Sequence, residues 1–297
     1  MPGCPSSPPF PHRADGPPAA RPAAGETTVF ADRPLDDQQP FVEPDYSSWD
    51  IAQHGPEPRP DWLVTDRNAI DTELGLLKTG KEADVHLVHR GVPGGDECLL
   101  AAKRYRTAEH RMFHRDAGYQ EGRSTRRTRD VRAMEGRTTY GRHLLTGKWT
   151  LAEFSALGQL WAAGVPVPYP VQCLETELML EFIGDDDGSA APRLAQCRPS
   201  PAELDDLFTQ CVDAMMIMAR AGYAHGDLSA YNMLVQDGRL YLIDVPQIVD
   251  LVSNPQGPGY LERDCRNVCS WFAGRGLRTA EFDLLFGDLM AEAVARW

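Results

Sequence analysis

His225-Gly-Asp-Leu-Ser-Ala-Tyr-Asn232, followed by Ile243-Asp244, is the stretch on which the reading of this chain turns. Asp227 and Asn232 stand five residues apart, and Asp244 follows twelve residues after Asn232. Between them lie two short apolar runs, residues 233–235 and 239–243, around Asp237-Gly238, a pair that favours a tight hairpin turn. Taken singly, each polar residue reads as a turn former or a strand-end cap. In this order and across a hairpin, they read as a metal–phosphate site. Asp227 would serve the nucleophile or the transferring phosphoryl group, while the Asn232 oxygen and Asp244 hold a divalent cation against the phosphates. Hard oxygen donors of this kind suit Mg2+, which accepts few protein ligands and keeps several waters.

Upstream sequence supplies matching parts in order. Leu77-Lys-Thr-Gly-Lys-Glu-Ala-Asp-Val85 precedes a strand and offers a backbone turn able to cover a triphosphate, although it carries one glycine rather than three. Residues 83–90 alternate apolar and polar, 91–97 carry a turn signal, and 98–105 form a second strand, so the two predict a hairpin. Residues 66–77 fit either a short helix or an extended lead-in. Lys103 on the second strand, if it faces inward, would pair with the α- and β-phosphates. A helix is expected after residue 146, with Thr150 as N-cap and Leu151, Phe154, Leu157, Leu160 and Trp161 as its apolar positions. Glu153 on that helix would hold Lys103 as an ion pair. Strands are expected at 171–176 and 177–183, and the end of the second, Glu181 to Ile183, is where backbone groups would meet an adenine. Ser200-Pro201 opens a long helix whose apolar face contains Leu204, Leu207, Cys211, Ala214, Met215 and Met218.

The chain resembles the RIO family of atypical serine/threonine protein kinases, its type-one branch most closely. The resemblance rests on TGKEADV (79–85), AAKRYRT (101–107), RMFHRDAGYQEG (111–122), LEFIGDDDGSAAPRL (180–194), HGDLSAYNMLV (225–235), LIDVPQIV (242–249) and LERDCRNV (261–268), spread over about 190 residues. It implies an α+β, bilobal, protein-kinase-like fold: a small N-lobe sheet with one helix, and a mainly helical C-lobe. It implies ATP with Mg2+ or Mn2+ as cofactors. By position it implies Asp227 as catalytic aspartate, Asn232 and Asp244 as metal ligands, and Lys103 with Glu153 as the phosphate lysine and its partner. Lys81, Glu82 and Val85 match the phosphate loop, and Glu181 and Ile183 the adenine edge. In this family the metal aspartate is also thought to accept the γ-phosphate, which makes Asp244 a candidate phospho-acceptor. Gly226 stands where ordinary protein kinases carry Arg, and Pro246 replaces the Ser of the family's Ile-Asp-Val-Ser-Gln run.

Composition sets the remaining bounds. The net charge of −13 argues against a wholesale nucleic-acid coat. Residues 103–142 nevertheless hold 12 Lys/Arg against 5 Asp/Glu, which would confine any RNA contact to one face. Since the family's relatives assist small-subunit maturation, the Arg-rich 104–142 segment is a candidate contact for rRNA or a ribosomal particle; the alternative is a solvated loop folding over the ATP site. Residues 1–60 contain 14 of the 24 prolines and read as a disordered tail. The folded part is expected as an N-lobe over 61–183, with a basic insertion at 107–146, and a C-lobe over 184–297. Seven cysteines without a CxxC pair predict free thiols in a reducing compartment, and Cys265 and Cys269 read as buried thiols rather than half a metal site. No signal peptide or membrane-length apolar run is seen, so a cytoplasmic protein is expected. The resulting function is a kinase or ATPase that moves the γ-phosphoryl group of ATP to Ser/Thr hydroxyls of an unknown protein, or of itself, or to Asp244. Two alternatives stay open: a non-catalytic, nucleotide-switched assembly factor, and a small-molecule phosphotransferase of the aminoglycoside-kinase kind.

Overall fold

Alternating residues over β3 (Ala83–Gly91) and β4 (Glu97–Tyr105) fold into an antiparallel hairpin in register Val85↔Lys103 and Val88↔Leu100. The computed structural model describes residues 46–106, 139–245, 248–251 and 253–295. Around the hairpin, β1 (Gln53–His54), β2 (Ile70–Thr79), β5 (Pro170–Leu174) and β6 (Glu177–Glu181) complete a six-stranded antiparallel sheet in the order β1-β5-β6-β4-β3-β2. Residues 70–77 are therefore extended, which decides between the two readings of that stretch.

The sheet is covered on both faces because its strands alternate. One face carries Val88, Leu100, Ala102 and Met179, buried with Trp49, Leu63, Tyr169 and Val171. The folded chain thus begins well before residue 61. Trp49 is buried on a short 3-10 turn, Ser48–Ile51, and β1 pairs with β5. The proline count of residues 1–60 masked this, because an averaged composition does not register a single anchoring Trp. Arg90, fully buried on the same face, is held by Asp71 through Nε (2.7 Å) and Nη2 (2.8 Å).

Against the other face lies α1 (Thr139–Ala162), longer than the sequence predicts. Thr150 is not its N-cap; it sits inside the helix, buried, with its hydroxyl donating to the Thr146 carbonyl one turn back. A Thr can satisfy its hydroxyl this way mid-helix, so the residue type alone does not mark a start. Phe154, Leu157 and Leu160 are buried as expected, whereas Leu151 is exposed.

The C-terminal half is mainly helical. α2 (Pro201–Arg220) begins with a capping box, in which the Ser200 hydroxyl accepts from the Glu203 amide and the Glu203 carboxylate accepts from the Ser200 amide. All six apolar positions named for α2 are buried. They form one core with α3 (Gly257–Ala273), α4 (Phe282–Val294) and the inner residues of α1. Cys211, Cys265 and Cys269 are buried there as free thiols, and burial pushes the Cys265 thiol up to about 12. Two small ladders complete the half: β7 (Tyr223–Ala224) with β10 (Val249–Asp250), and the hairpin of β8 (Met233–Gln236) and β9 (Arg239–Leu242). Asp237 (φ 51°) and Gly238 (φ 75°) form the left-handed turn that this hairpin needs. Residues 1–45 and most of the basic segment (107–138), with Pro246, lie outside the described residues.

Truncating Asp71 to Ala would leave the Arg90 guanidinium buried without its counter-charge. The expected loss is about 3–5 kcal/mol, measurable as a lowered urea midpoint with an unchanged slope.

Candidate nucleotide and metal site

The cleft between the sheet and the helical half is organised by Lys103. Its β4 register directs its side chain toward α1, where Nζ donates to Glu153 Oε1 at 2.7 Å and Oε2 at 3.0 Å. The same ammonium donates to Asp244 Oδ1 at 3.0 Å. Three segments distant in sequence are thereby joined at one nitrogen. Burial works against the Lys103 charge, but Glu153 and Asp244 outweigh it and hold its pKa above the ordinary lysine value. Burial pushes the Glu153 carboxyl up against the pull of Lys103. Asp244, side chain 45% exposed, goes the other way: the Lys103 charge holds it below the usual carboxylate range.

Asp244 adopts φ 62°, a left-handed conformation costly for a non-glycine residue. Its neighbours hold it there. The Ile243 amide donates to the Asn232 carbonyl (3.0 Å) and the Leu242 amide to the Pro166 carbonyl (2.7 Å). Buried His225 contacts the Ile243 carbonyl through Nε2 (3.2 Å) and the Asp227 amide through Nδ1 (3.4 Å). In these contacts Nε2 takes the donor role and Nδ1 the acceptor role.

The loop bearing Asp227 is braced from beneath. Asp264, 1% exposed on α3, accepts from the Gly226 amide (2.7 Å) and the Leu228 amide (2.8 Å). Asn267, one turn on, donates to the Leu228 carbonyl (3.1 Å). Gly226 has φ 83° between these anchors, which is why a residue without Cβ stands there. Asp227 itself is exposed. Asn232 donates through Nδ2 to the Asp227 carbonyl (2.9 Å), which commits its amide nitrogen and leaves its oxygen as the available donor atom. That oxygen and the second oxygen of Asp244 are both hard donors, so the residues present fit a cation such as Mg2+.

The other expected site residues are placed less uniformly. Gly80 makes the turn before β3, its amide donating to Ala83 O at 2.9 Å; a Cβ there would stand 2.8 Å from that oxygen. Lys81 and Glu82 are exposed on this turn. Val85 lies directly opposite Lys103. The Glu181 carboxylate is not turned to a ligand: it accepts from the Tyr169 amide at 2.9 Å. The Ile183 carbonyl accepts from Ala191. Sequence reasoning gave no role to Asp264 or His225. A signal existed for Asp264, since it interrupts the apolar face of α3 set by Leu261, Cys265 and Val268.

A β4-anchored lysine paired to a helix glutamate, a braced Asp–Asn loop and a second Asp after a hairpin define the kinase-like class of bilobal folds. Within that class, the RIO domain family profile matches residues 94–285, and the chain belongs to that family. It is 34% identical over 215 residues to the RIO-type serine/threonine-protein kinase Rio1 of Haloferax volcanii, covering 72% of this chain and 67% of the relative. It is 31% identical over 224 residues to the serine/threonine-protein kinase rio1 of Dictyostelium discoideum, covering 75% and 37%. It is 28% identical over 229 residues to human serine/threonine-protein kinase RIO3, covering 74% and 42%. The matched region thus spans from about a third to two thirds of these relatives' lengths.

Two measurements check this geometry. Asp264→Ala strands two buried amides at a cost of about 1–3 kcal/mol each, so chemical denaturation should show a large destabilisation, with Asp264→Asn intermediate. Because its folded-state pKa is depressed, Asp244 contributes stability that is complete above the unfolded carboxylate pKa of about 4 and lost as pH falls through the lowered value. Asp244→Asn should remove that acid-limb component from a stability–pH curve.

Proposed function

We propose that this chain is an ATP-dependent phosphotransferase of the RIO type, a serine/threonine kinase or an ATPase-like switch, with its nucleotide in the cleft around Lys103. The observation that carries this reading is the contact of one ammonium with both Glu153 and Asp244. An ammonium so placed can grip the α- and β-phosphates while its helix partner keeps it from swinging away. Family membership and relatives named as protein kinases support this reading over the small-molecule phosphotransferase.

In this scheme Lys81, Glu82 and the Gly80 turn cover the phosphates, Val85 lines the nucleotide slot, and the strand end at Glu181 and Ile183 supplies the adenine edge. Asn232 and Asp244 would hold Mg2+ or Mn2+, which neutralises charge on the phosphates when bound. Asp227, exposed at the cleft, accepts the proton of an incoming Ser/Thr hydroxyl. In the alternative outcome an Asp244 carboxylate oxygen attacks the γ-phosphorus, the bond to the β-γ bridging oxygen breaks, and ADP leaves. The acyl phosphate on Asp244 then passes its phosphoryl group to water or to an acceptor. Contact of the Arg-rich 104–142 segment with rRNA and a cytoplasmic setting remain part of the proposal. No helix among the described residues is long and apolar enough to cross a membrane.

Incubation with γ-labelled ATP and Mg2+ tests the scheme. Wild type should consume ATP, and its label should be acid-stable on Ser/Thr or hydroxylamine-labile on Asp244. Asp244→Ala should abolish turnover while remaining folded by circular dichroism; undiminished turnover in that variant would remove Asp244 from the mechanism.

A further inference from the structure

Lys78 enters the cleft because of a defect in strand pairing. Along β2, Leu76 pairs with His86, yet Lys78 pairs with Val85, so one extra residue is accommodated between them. Regular pairing would set residue 78 opposite Asp84, on the face turned away from Lys103. A one-residue bulge moves every following side chain to the opposite face. Lys78, Val85 and Lys103 consequently form one row across three neighbouring strands. Directly opposed residues share a face, so Lys78 and Lys103 point into the same cleft from strands about 10 Å apart.

The charges that act on Lys78 come from that cleft. Lys78 is exposed, and partial loss of hydration lowers its proton affinity first, then the Arg193 charge lowers it further; Asp244 opposes them, and Lys103 adds a smaller lowering. Arg193 belongs to the other side of the cleft. Its guanidinium donates to the Tyr231 carbonyl, next to Asn232, and its backbone bridges to Leu234. Lys78 and Arg193 are like charges that act on one another. Lys103, the third cation, is already engaged by Glu153 and Asp244. An arrangement that costs repulsion when empty becomes favourable when a polyanion enters between the two cations.

We propose that Lys78 is a second phosphate-contacting residue, in one row with Val85 and Lys103 and closing on the phosphate chain of the bound nucleotide from the β2 side. This rests on the nucleotide reading of the cleft and adds to it a residue outside the Lys81–Glu82 turn. The role is electrostatic: Lys78 discriminates phosphorylated ligands from the bare nucleoside and leaves adenine recognition untouched.

Calorimetric titration of ATP, ADP and adenosine into the full chain and into Lys78→Met and Lys78→Arg decides the matter. Arg193 is left intact because it also holds Tyr231. The Met variant should bind ATP and ADP about tenfold more weakly, the scale of one charge-assisted hydrogen bond, with adenosine affinity unchanged. The Arg variant should retain most of the affinity. The ligand-free Met variant should melt no lower than wild type, since a repulsion has been removed. Unchanged ATP affinity in the Met variant, or an equal loss for adenosine, would overturn the proposal. A wild-type chain that binds none of the three would instead sink the nucleotide reading itself, a result read before any variant is made.

Discussion

One largely buried ammonium group holds the two halves of this molecule in working relation. Lys103 belongs to the sheet, Glu153 to the helix packed on it, and Asp244 to the helical half, and the three meet within hydrogen-bond distance. Removing such charges from water is expensive unless each finds an opposite charge and good geometry. Glu153 is all but fully buried, and among the described residues its ionised form is sustained by the bond from Lys103. Asp244 is half-exposed and shares the same ammonium. That asymmetry is useful: the buried carboxylate positions the lysine, and the exposed one remains open to a ligand.

Rigid support beneath the loop complements this. Asp264 and Asn267 hold the backbone on both sides of Asp227, and His225 ties that loop to the residue before Asp244. The left-handed backbone at Asp244 is thus over-determined by its surroundings, the condition under which strain persists at a functional position. Asp264, Asn267 and His225 spend their polar atoms on the loop backbone, while Asn232 and Asp244 keep oxygens in reserve. Preorganised oxygens and cations of this sort stabilise transferring phosphoryl charge without reorganising during the reaction.

Legibility differed by element. The capping box at Ser200 and the apolar face of α2 were readable because cap chemistry and a 3.6-residue period are local properties. Thr150 misled for the same reason: a hydroxyl that can cap a helix can also bond one turn back inside it. Trp49 and β1 were lost in a proline-rich average, since their structure comes from pairing with β5 more than a hundred residues away. Within the site, Asp227, Asn232 and Asp244 were visible as spaced oxygens in an ordered motif. Asp264 was hidden as one polar letter in an apolar pattern, and Lys78 as one lysine beside another.

By itself, then, the sequence determined the central hairpin, the long helix opened by Ser200, the family, and the candidacy of Lys103, Glu153, Asp227, Asn232 and Asp244, because those follow from residue type, period and short-range spacing. Tertiary structure decided which carboxylate each cation meets, which face of the sheet Lys78 occupies, and what braces the loop of Asp227. Those outcomes depend on strand register, a single bulge and burial against distant segments, and a one-residue shift reverses them without altering any local pattern.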